Sequence, residues 1–368
     1  MAAGFAQWGN DLYTGRRSYN IVGRRKIWFT ISTILVIMSA IFLVKPGLNP
    51  GIEFRGGSEF VVADVADKDQ QLAIDTVKSV APDEEPRVTT IGEDSMRIQT
   101  SKLESEELGE VKAALAEAYD VPVGNISTSY IGASWGKDIS QKAVIGIIVF
   151  LLLVTVVMSI YFRNWRMALA ALIALFHDLV ITVGVYAAVG WEVTPATVIG
   201  FLTILGYSIY DTVVVFDKVR ENTADTLLQS RWTYAEKANL AVNQTLVRSI
   251  NTSIVALLPV GAILFVGAVV LGAGTLRDIA LALFVGMLIG TFSSVFLATP
   301  FEVVLRQREP AIKAHTAKIH AGRAAVGSGS SDEGDLAAAG PTYVPAGALK
   351  AGSHQGVTAQ PKRRPTKK

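Results

Sequence analysis

Long apolar runs alternate unevenly with polar stretches along the chain. A helix satisfies its own backbone polar groups, and about 20 apolar residues of helix cross a bilayer core about 30 Å thick. Six runs meet that test, approximately 27–44, 144–162, 167–189, 196–216, 246–271 and 279–305. The first stands alone behind residues 1–26, and the polar stretch 45–143 separates it from the other five, which follow in close succession.

Inside that polar stretch the periodicity changes. Glu59–Ala63 reads as a strand, and Leu72, Ile74, Val77 and Val80 recur at helical spacing. Arg87–Ile91 and Ser95–Gln99 read as two more strands. Glu104–Tyr119 then carries Leu108, Val111, Leu115 and Ala118 on one helical face, and Ile126–Ile131 reads as a last strand. The order βαββαβ predicts a small ferredoxin-like α+β domain. The predicted fold is therefore an α-helical polytopic membrane protein with six transmembrane helices in a 1+5 arrangement. Segment 45–143 is its α+β domain and 144–305 holds helices 2–6. Residues 306–368 are rich in Gly, Ala, Ser and Lys, lack the apolar mass for a core, and read as a disordered tail. Its basic end, Pro361–Lys368, suits either contact with anionic lipid or plain solvation.

Basic residues set the orientation. Arg16, Arg17, Arg24, Arg25 and Lys26 precede the first run, Arg163 and Arg166 follow the second, and Lys218, Arg220, Arg231 and Lys237 follow the fourth. These segments are expected inside. The turn 190–195 has no basic residue and 272–278 only Arg277, so both are expected outside with the α+β domain, and both termini in the cytoplasm. The first run exceeds the 7–15 residues of a signal-peptide core, and Lys45-Pro46-Gly47 after it is no cleavage pattern.

Composition narrows the chemistry. Hydrophobic residues make up 50% of the chain and charged ones 18%, well below the roughly 25% of soluble domains. The formal net charge of +2 gives no reason to expect a nucleic-acid partner. With no cysteine there is no disulfide, thiolate metal site or thiol nucleophile. His315, His320 and His354 lie in the polar tail, so only His177 has apolar surroundings. Gly132–Lys137 looks superficially like a phosphate loop, but it is one residue short between its glycines and has Asp138 where Ser or Thr is needed. No enzyme, metal or cofactor signature remains, and the chain reads as a non-enzyme.

What remains is charge within apolar runs, costly in lipid and functional by default. Asp178 sits near the middle of the third run beside His177, Asp211 lies in the fourth, and Arg248 opens the fifth. Asp211 and Arg248 are expected on adjacent antiparallel helices in the inner half of the membrane. A pair that makes and breaks there would let Asp211 bind and release a proton. A structural ion pair fixing helix register is the alternative, and it weighs more for Arg248 and His177 than for Asp211.

Four stretches resemble the SecF family, the smaller subunits of the bacterial SecDF protein-export complex within the resistance-nodulation-division (RND) superfamily. They are Gly51-Ile52-Glu53-Phe54-Arg55-Gly56-Gly57, Phe176-His177-Asp178, Gly206–Asn222 and Gln244–Ser249. Glu53 stands where that family usually has Asp, and Tyr210 where Asn commonly precedes the key Asp. The resemblance spans about 24–305 and implies proton transport at Asp211 and Arg248, a less settled role for Asp178, and a structural turn at Gly51, Gly56 and Gly57. It implies no cofactor beyond protons as coupling ion. It implies SecD as partner, the SecYEG channel beside it, SecA and a YajC-like subunit indirectly, unfolded polypeptides as clients, membrane lipids around it, and residence in the bacterial inner membrane. The expected function is late-stage protein export driven by the proton motive force. A proton-driven RND exporter of lipid or small molecules, and a passive assembly scaffold, are the competing readings.

Overall fold

The computed structural model describes residues 2–92, 94–270 and 274–329. Among the described residues, six helices are long and apolar enough to cross a membrane, one near the N-terminus. The chain divides into two compact units. The larger comprises Ile27–Thr212 and Asn251–Ala298, and the smaller comprises the segment up to Lys26, Val213–Ile250 and the described residues from Thr299 on.

The larger unit contains the α+β domain. After α2 (Arg25–Val44) come a short strand β1 (Asn49–Pro50) and a single helical turn α3 (Ile52–Arg55). Then follow β2 (Gly57–Val62), α4 (Gln70–Val80), β3 (Arg87–Ile91), β4 (Ser95–Thr100), α5 (Ser105–Ala118) and β5 (Ile126–Ile131). The four strands from β2 on pair antiparallel in the order β3-β4-β2-β5. That is the strand order of the expected ferredoxin-like fold. Alternation explains the layering, because side chains two apart on a strand share a face. Phe60, Val62, Met96, Ile98 and Ile126 are buried on one face of the sheet against Ala73 and Val77 of α4 and Val111 and Leu115 of α5. The Asp69 carboxylate caps α4 by accepting from the Gln71 backbone N–H at 2.8 Å, and the Glu107 carboxylate accepts from the Glu104 N–H at 2.8 Å before α5.

The predicted glycine turn is a close approach of backbones. Gly56 and Gly57 take φ of 79° and 141°, a region that favours glycine. A Cβ on Gly57 would run into the Thr100 carbonyl of β4. Two expectations at the helix ends change. Helix α6 (Ala133–Phe162) starts earlier than the expected 144, and α9 (Tyr234–Ala262) earlier than the expected 246. The polar starts, Lys137-Asp138 and Glu236-Lys237, continue the helical hydrogen bonding beyond the apolar run that marks each span.

The remaining long helices are α7 (Trp165–Val189), α8 (Pro195–Thr223) and α10 (Gly274–Ser293). A parallel strand β6 (Glu192–Val193) between α7 and α8 pairs with β1. Burial differs sharply among them: 56% of the most apolar window of α7 is buried, against 6% for α6. Helix α6 therefore offers its apolar side chains outward, while α7 is central. Small residues allow the close packing, since a Cβ on Gly184 of α7 would collide with Ser39 of α2. A π-helical turn, Ser294–Ala298, ends α10 and leads into α11 (Thr299–Gln307).

The smaller unit is tied by side-chain amides. Asn243 of α9 accepts from the Tyr19 N–H at 2.7 Å and donates to the Tyr19 carbonyl at 2.9 Å, and Asn239 accepts from the N–H groups of Ile21 and Val22. The segment after α1 (Ala2–Tyr13) is thereby fixed although it has no regular structure of its own. Glu302 of α11 is fully buried and accepts from Tyr234 Oη at 2.6 Å, with Arg306 Nε 3.7 Å away.

The expected disorder of 306–368 is corrected over its first part. Helix α12 spans Pro310–Gly329, with proline at its first turn, where a missing N–H costs nothing. Ile312 and Ile319 are buried, and Arg323 pairs with Glu236 at 2.7 Å. Sparse apolar residues at helical spacing and one exposed ion pair accompany a helix where composition alone predicts none. Residues 330–368, including His354 and the basic end, lie outside the described residues.

Candidate functional site

Within the larger unit, Asp178 is the centre of a closed polar cluster in an otherwise apolar region. It is fully buried, on the innermost helix. Its Oδ2 accepts from Ser208 Oγ of α8 at 2.6 Å and from Ser293 Oγ of α10 at 2.7 Å. Its Oδ1 lies 3.1 Å from Nδ1 of His177, itself 4% exposed. Three helices thus meet on one carboxylate, answered by hydroxyls and an imidazole. Buried polar groups persist only when hydrogen-bonded, and this one has three partners. His177 Nε2 has none among the described residues.

The helices fit closely around it. A Cβ on Gly290 would lie 3.1 Å from the Ser208 Cβ and 3.6 Å from Asp178 Oδ2, so glycine there brings α10 against α8. One turn on, Thr212 and Ser294 hydroxyls are 3.0 Å apart, and Ser294 donates to the Gly290 carbonyl at 2.9 Å. Ser294 opens the π-helical turn, a distortion frequent at functional sites.

Asp211 is buried on α8, three residues beyond Ser208 and next to Thr212. Tyr210 beside it is exposed. Arg248 lies on α9 with its side chain exposed, and belongs to the smaller unit, whereas Asp211 belongs to the larger.

A second cluster, at the base of the α+β domain, escaped sequence reasoning. Arg97 of β4 reaches Glu59 of β2 at 3.4 Å and Glu192 of β6 at 3.3 Å, with side-chain exposures of 14%, 17% and 10%. Gln99 Nε2 donates to Glu192 at 2.7 Å and to Glu59 at 3.0 Å. Backbone pairing supports it, with the Gly51 N–H donating to the Val193 carbonyl at 2.9 Å. Burial raises the Glu53 carboxyl above its ordinary value, opposed by its own backbone N–H, and the Glu192 and Glu59 charges raise it further. Arg97 and Glu192 look like ordinary surface charges far apart in sequence, so no local signal could have joined them. Among the described residues no group of three His, Cys, Asp or Glu side chains is arranged to hold a metal ion.

Among the described residues, six membrane-spanning helices, a ferredoxin-like domain after the first of them and buried carboxylates in the spans define a polytopic membrane protein with an α+β domain. Residues 110–308 match the family model described as protein export membrane protein SecD/SecF, C-terminal, and residues 41–63 match the SecD/SecF GG motif. The protein translocase subunit SecF of Streptomyces coelicolor is 47% identical over 319 residues, covering 86% of this chain and 84% of that one. SecF of Mycobacterium tuberculosis is 42% identical over 84% of this chain and 72% of its own. The crystal structure of SecDF from Thermus thermophilus, a translocon-associated membrane protein, superposes with a TM-score of 0.70 at 29% identity. It shares 80% of this chain but 39% of that longer one. The chain belongs to the SecF family of protein translocase subunits, and it is a multi-pass membrane protein of protein export.

Proposed function

We propose that this chain couples proton movement to protein export, with Asp211, Arg248 and Asp178 as its proton-transport residues and SecD as its obligate partner. The observation that carries the reading is Asp178, a carboxylate with no exposed surface in the most buried span. Such a group is costly in a membrane interior and is expected to be functional. Asp211, buried on the next span, is the second protonatable group, and Arg248 on the span after it is a fixed cation. One charge crossing the full potential supplies about 2.3 kcal/mol per 100 mV, so no nucleotide site is required.

SecD is favoured as partner because the Thermus thermophilus relative is named SecDF and this chain spans only 40% of it. The reading extends to the SecYEG channel as the site of action, with SecA and a YajC-like subunit acting indirectly and unfolded polypeptide as cargo. The α+β domain faces outward and both termini face the cytoplasm, as the basic loops require. A self-contained exporter of lipid or small molecules would need a second six-helix half.

The test is Asp211→Asn, which keeps size and polarity but cannot ionise. Export stimulated by the proton motive force, measured per assembled complex, is expected to stop while assembly persists. Wild-type export per complex would remove Asp211 from the proton path. A loss matching a fall in assembly would make its role structural.

A further inference from the structure

The proton-driven reading names Asp178 but leaves open what its proton does, and the answer lies in hydroxyls that carry no charge. We infer that Ser208 and Ser293 are positioning residues for a proton site at Asp178, and that protonation there reverses the hydrogen bond that ties α7 to α10. This inference rests on the proposed function above.

Both serine hydroxyls donate to one oxygen, Oδ2, at 2.6 and 2.7 Å, while Oδ1 faces His177. An ionised carboxylate accepts at both oxygens. A proton bound to Oδ2 makes that oxygen a donor, and a serine hydroxyl, which both donates and accepts, must turn its own hydrogen aside to accept it. Ser293 already has the acceptor its hydrogen then needs, the Gly290 carbonyl of its own helix at 3.2 Å. Its oxygen accepts the proton of Asp178, so the bond between α7 and α10 persists with its direction reversed, while Ser208 still donates to Oδ2. The residue after Ser293 opens the π-helical turn, where α10 is already distorted and bonded to α8 through Ser294 and Thr212. The bond count balances: the entering proton is the donor of the reversed bond, and the hydroxyl hydrogen it displaces goes to the Gly290 carbonyl.

The other titratable groups around this carboxylate are few. On α7 itself His177 is the neighbour, and α8 adds Tyr207, Tyr210 and Asp211. Helix α10 has none between Asp278 and Glu302, α6 none between Lys142 and Tyr161, α2 none between Lys26 and Lys45, and α9 none beyond Arg248. The two serine hydroxyls are therefore the neutral donors whose removal the pH profile reads, since losing donors to a charged form favours the neutral one.

The experiment uses the full chain assembled with SecD in membrane vesicles, with proton-driven export per assembled complex measured across pH. Ser208→Ala with Ser293→Ala is expected to displace the pH profile upward by about one unit or more, because each hydrogen bond to a carboxylate is comparable to a pH unit of proton affinity. Ser293→Thr, which keeps the hydroxyl, is expected to leave the profile in place. Should the alanine pair fail to assemble, Ser293→Cys, a weaker donor of similar shape, must shift the profile in the same direction. An unmoved profile in assembled serine variants, with Asp178→Asn inactive, overturns the inference and leaves Asp178 as a proton carrier. Wild-type export in Asp178→Asn overturns both the inference and the assignment of Asp178, whatever Asp211→Asn does.

Discussion

Two polar clusters of the larger unit solve the same problem in opposite ways. At Asp178 a carboxylate with no access to water is held by two serine hydroxyls and a histidine, with no Lys or Arg among the described residues bonded to it. At the base of the α+β domain, Glu59 and Glu192 gather around Arg97 and keep some contact with water. The difference teaches what burial does to a carboxylate. Near water, a cation and a little hydration suffice, and such pairs contribute modestly. Deep inside, a tight ion pair would lock the charge in place, whereas hydroxyl groups donate to the charged form and can turn to accept from the neutral one. The first arrangement suits a joint between domain and membrane helices, the second a group that changes its charge.

The contrast breaks most completely if a second charge enters the dry cluster. Ser208→Asp places another carboxylate against Asp178 with no cation among its described partners to answer it. Two like charges at hydrogen-bond distance in an apolar interior cost several kcal/mol unless one is neutralised. The expected outcome is loss of most assembled complex, read as the amount of SecD co-purified and as the melting temperature in mild detergent. Normal assembly would mean that water reaches the cluster.

How much of this was legible in the sequence follows from the same physics. Asp178 and Asp211 stood out because a charge in an apolar run is visible one residue at a time. Ser208 and Ser293 did not, because serine is common where helices pack closely, and only the meeting of α7, α8 and α10 gives these two a role. The βαββαβ order was readable from alternation and amphipathic spacing, local properties of each element. The parallel pairing of β1 with β6 was not, since it joins two-residue strands from either side of the domain and of two membrane helices. Helix α12 was missed because its stability comes from docking of Ile312, Ile319 and Arg323 rather than from composition.

The second prediction sharpens the comparison at the wet cluster. Arg97→Glu alone places a third carboxylate beside Glu59 and Glu192, and Glu192→Arg alone sets two guanidinium groups side by side. Each single change is expected to loosen the β1–β6 joint and speed proteolysis of the α+β domain. The double exchange is expected to recover part of the loss, by about 1 kcal/mol, since partly exposed pairs are screened. The coupling should weaken in high salt. No recovery in the double variant would assign the joint to backbone pairing and the Gln99 amide instead.

The smallest effect concerns Glu53, where the ordinary carboxyl value of 4.5 is raised first by burial and then by Glu192 and Glu59. A carboxyl that binds its proton more tightly when folded makes the folded state hold more protons than the unfolded one across the interval between the two values. Stability then falls as pH rises through that interval, starting near the unfolded value of 4.5, and levels off above the folded one. This is the reverse of a salt-bridged carboxylate, whose contribution appears as pH rises. Glu53→Gln removes the proton and with it the slope. Melting of the α+β domain within the full chain should therefore decline upward from pH 4.5 in the wild type, and less steeply in Glu53→Gln. Arg97→Met, which takes away a cation that lowers Glu53, should carry the decline to higher pH. Equal slopes in all three proteins would show that Glu53 is hydrated in the folded chain, and that the base of the domain is wetter than its hydrogen bonds imply.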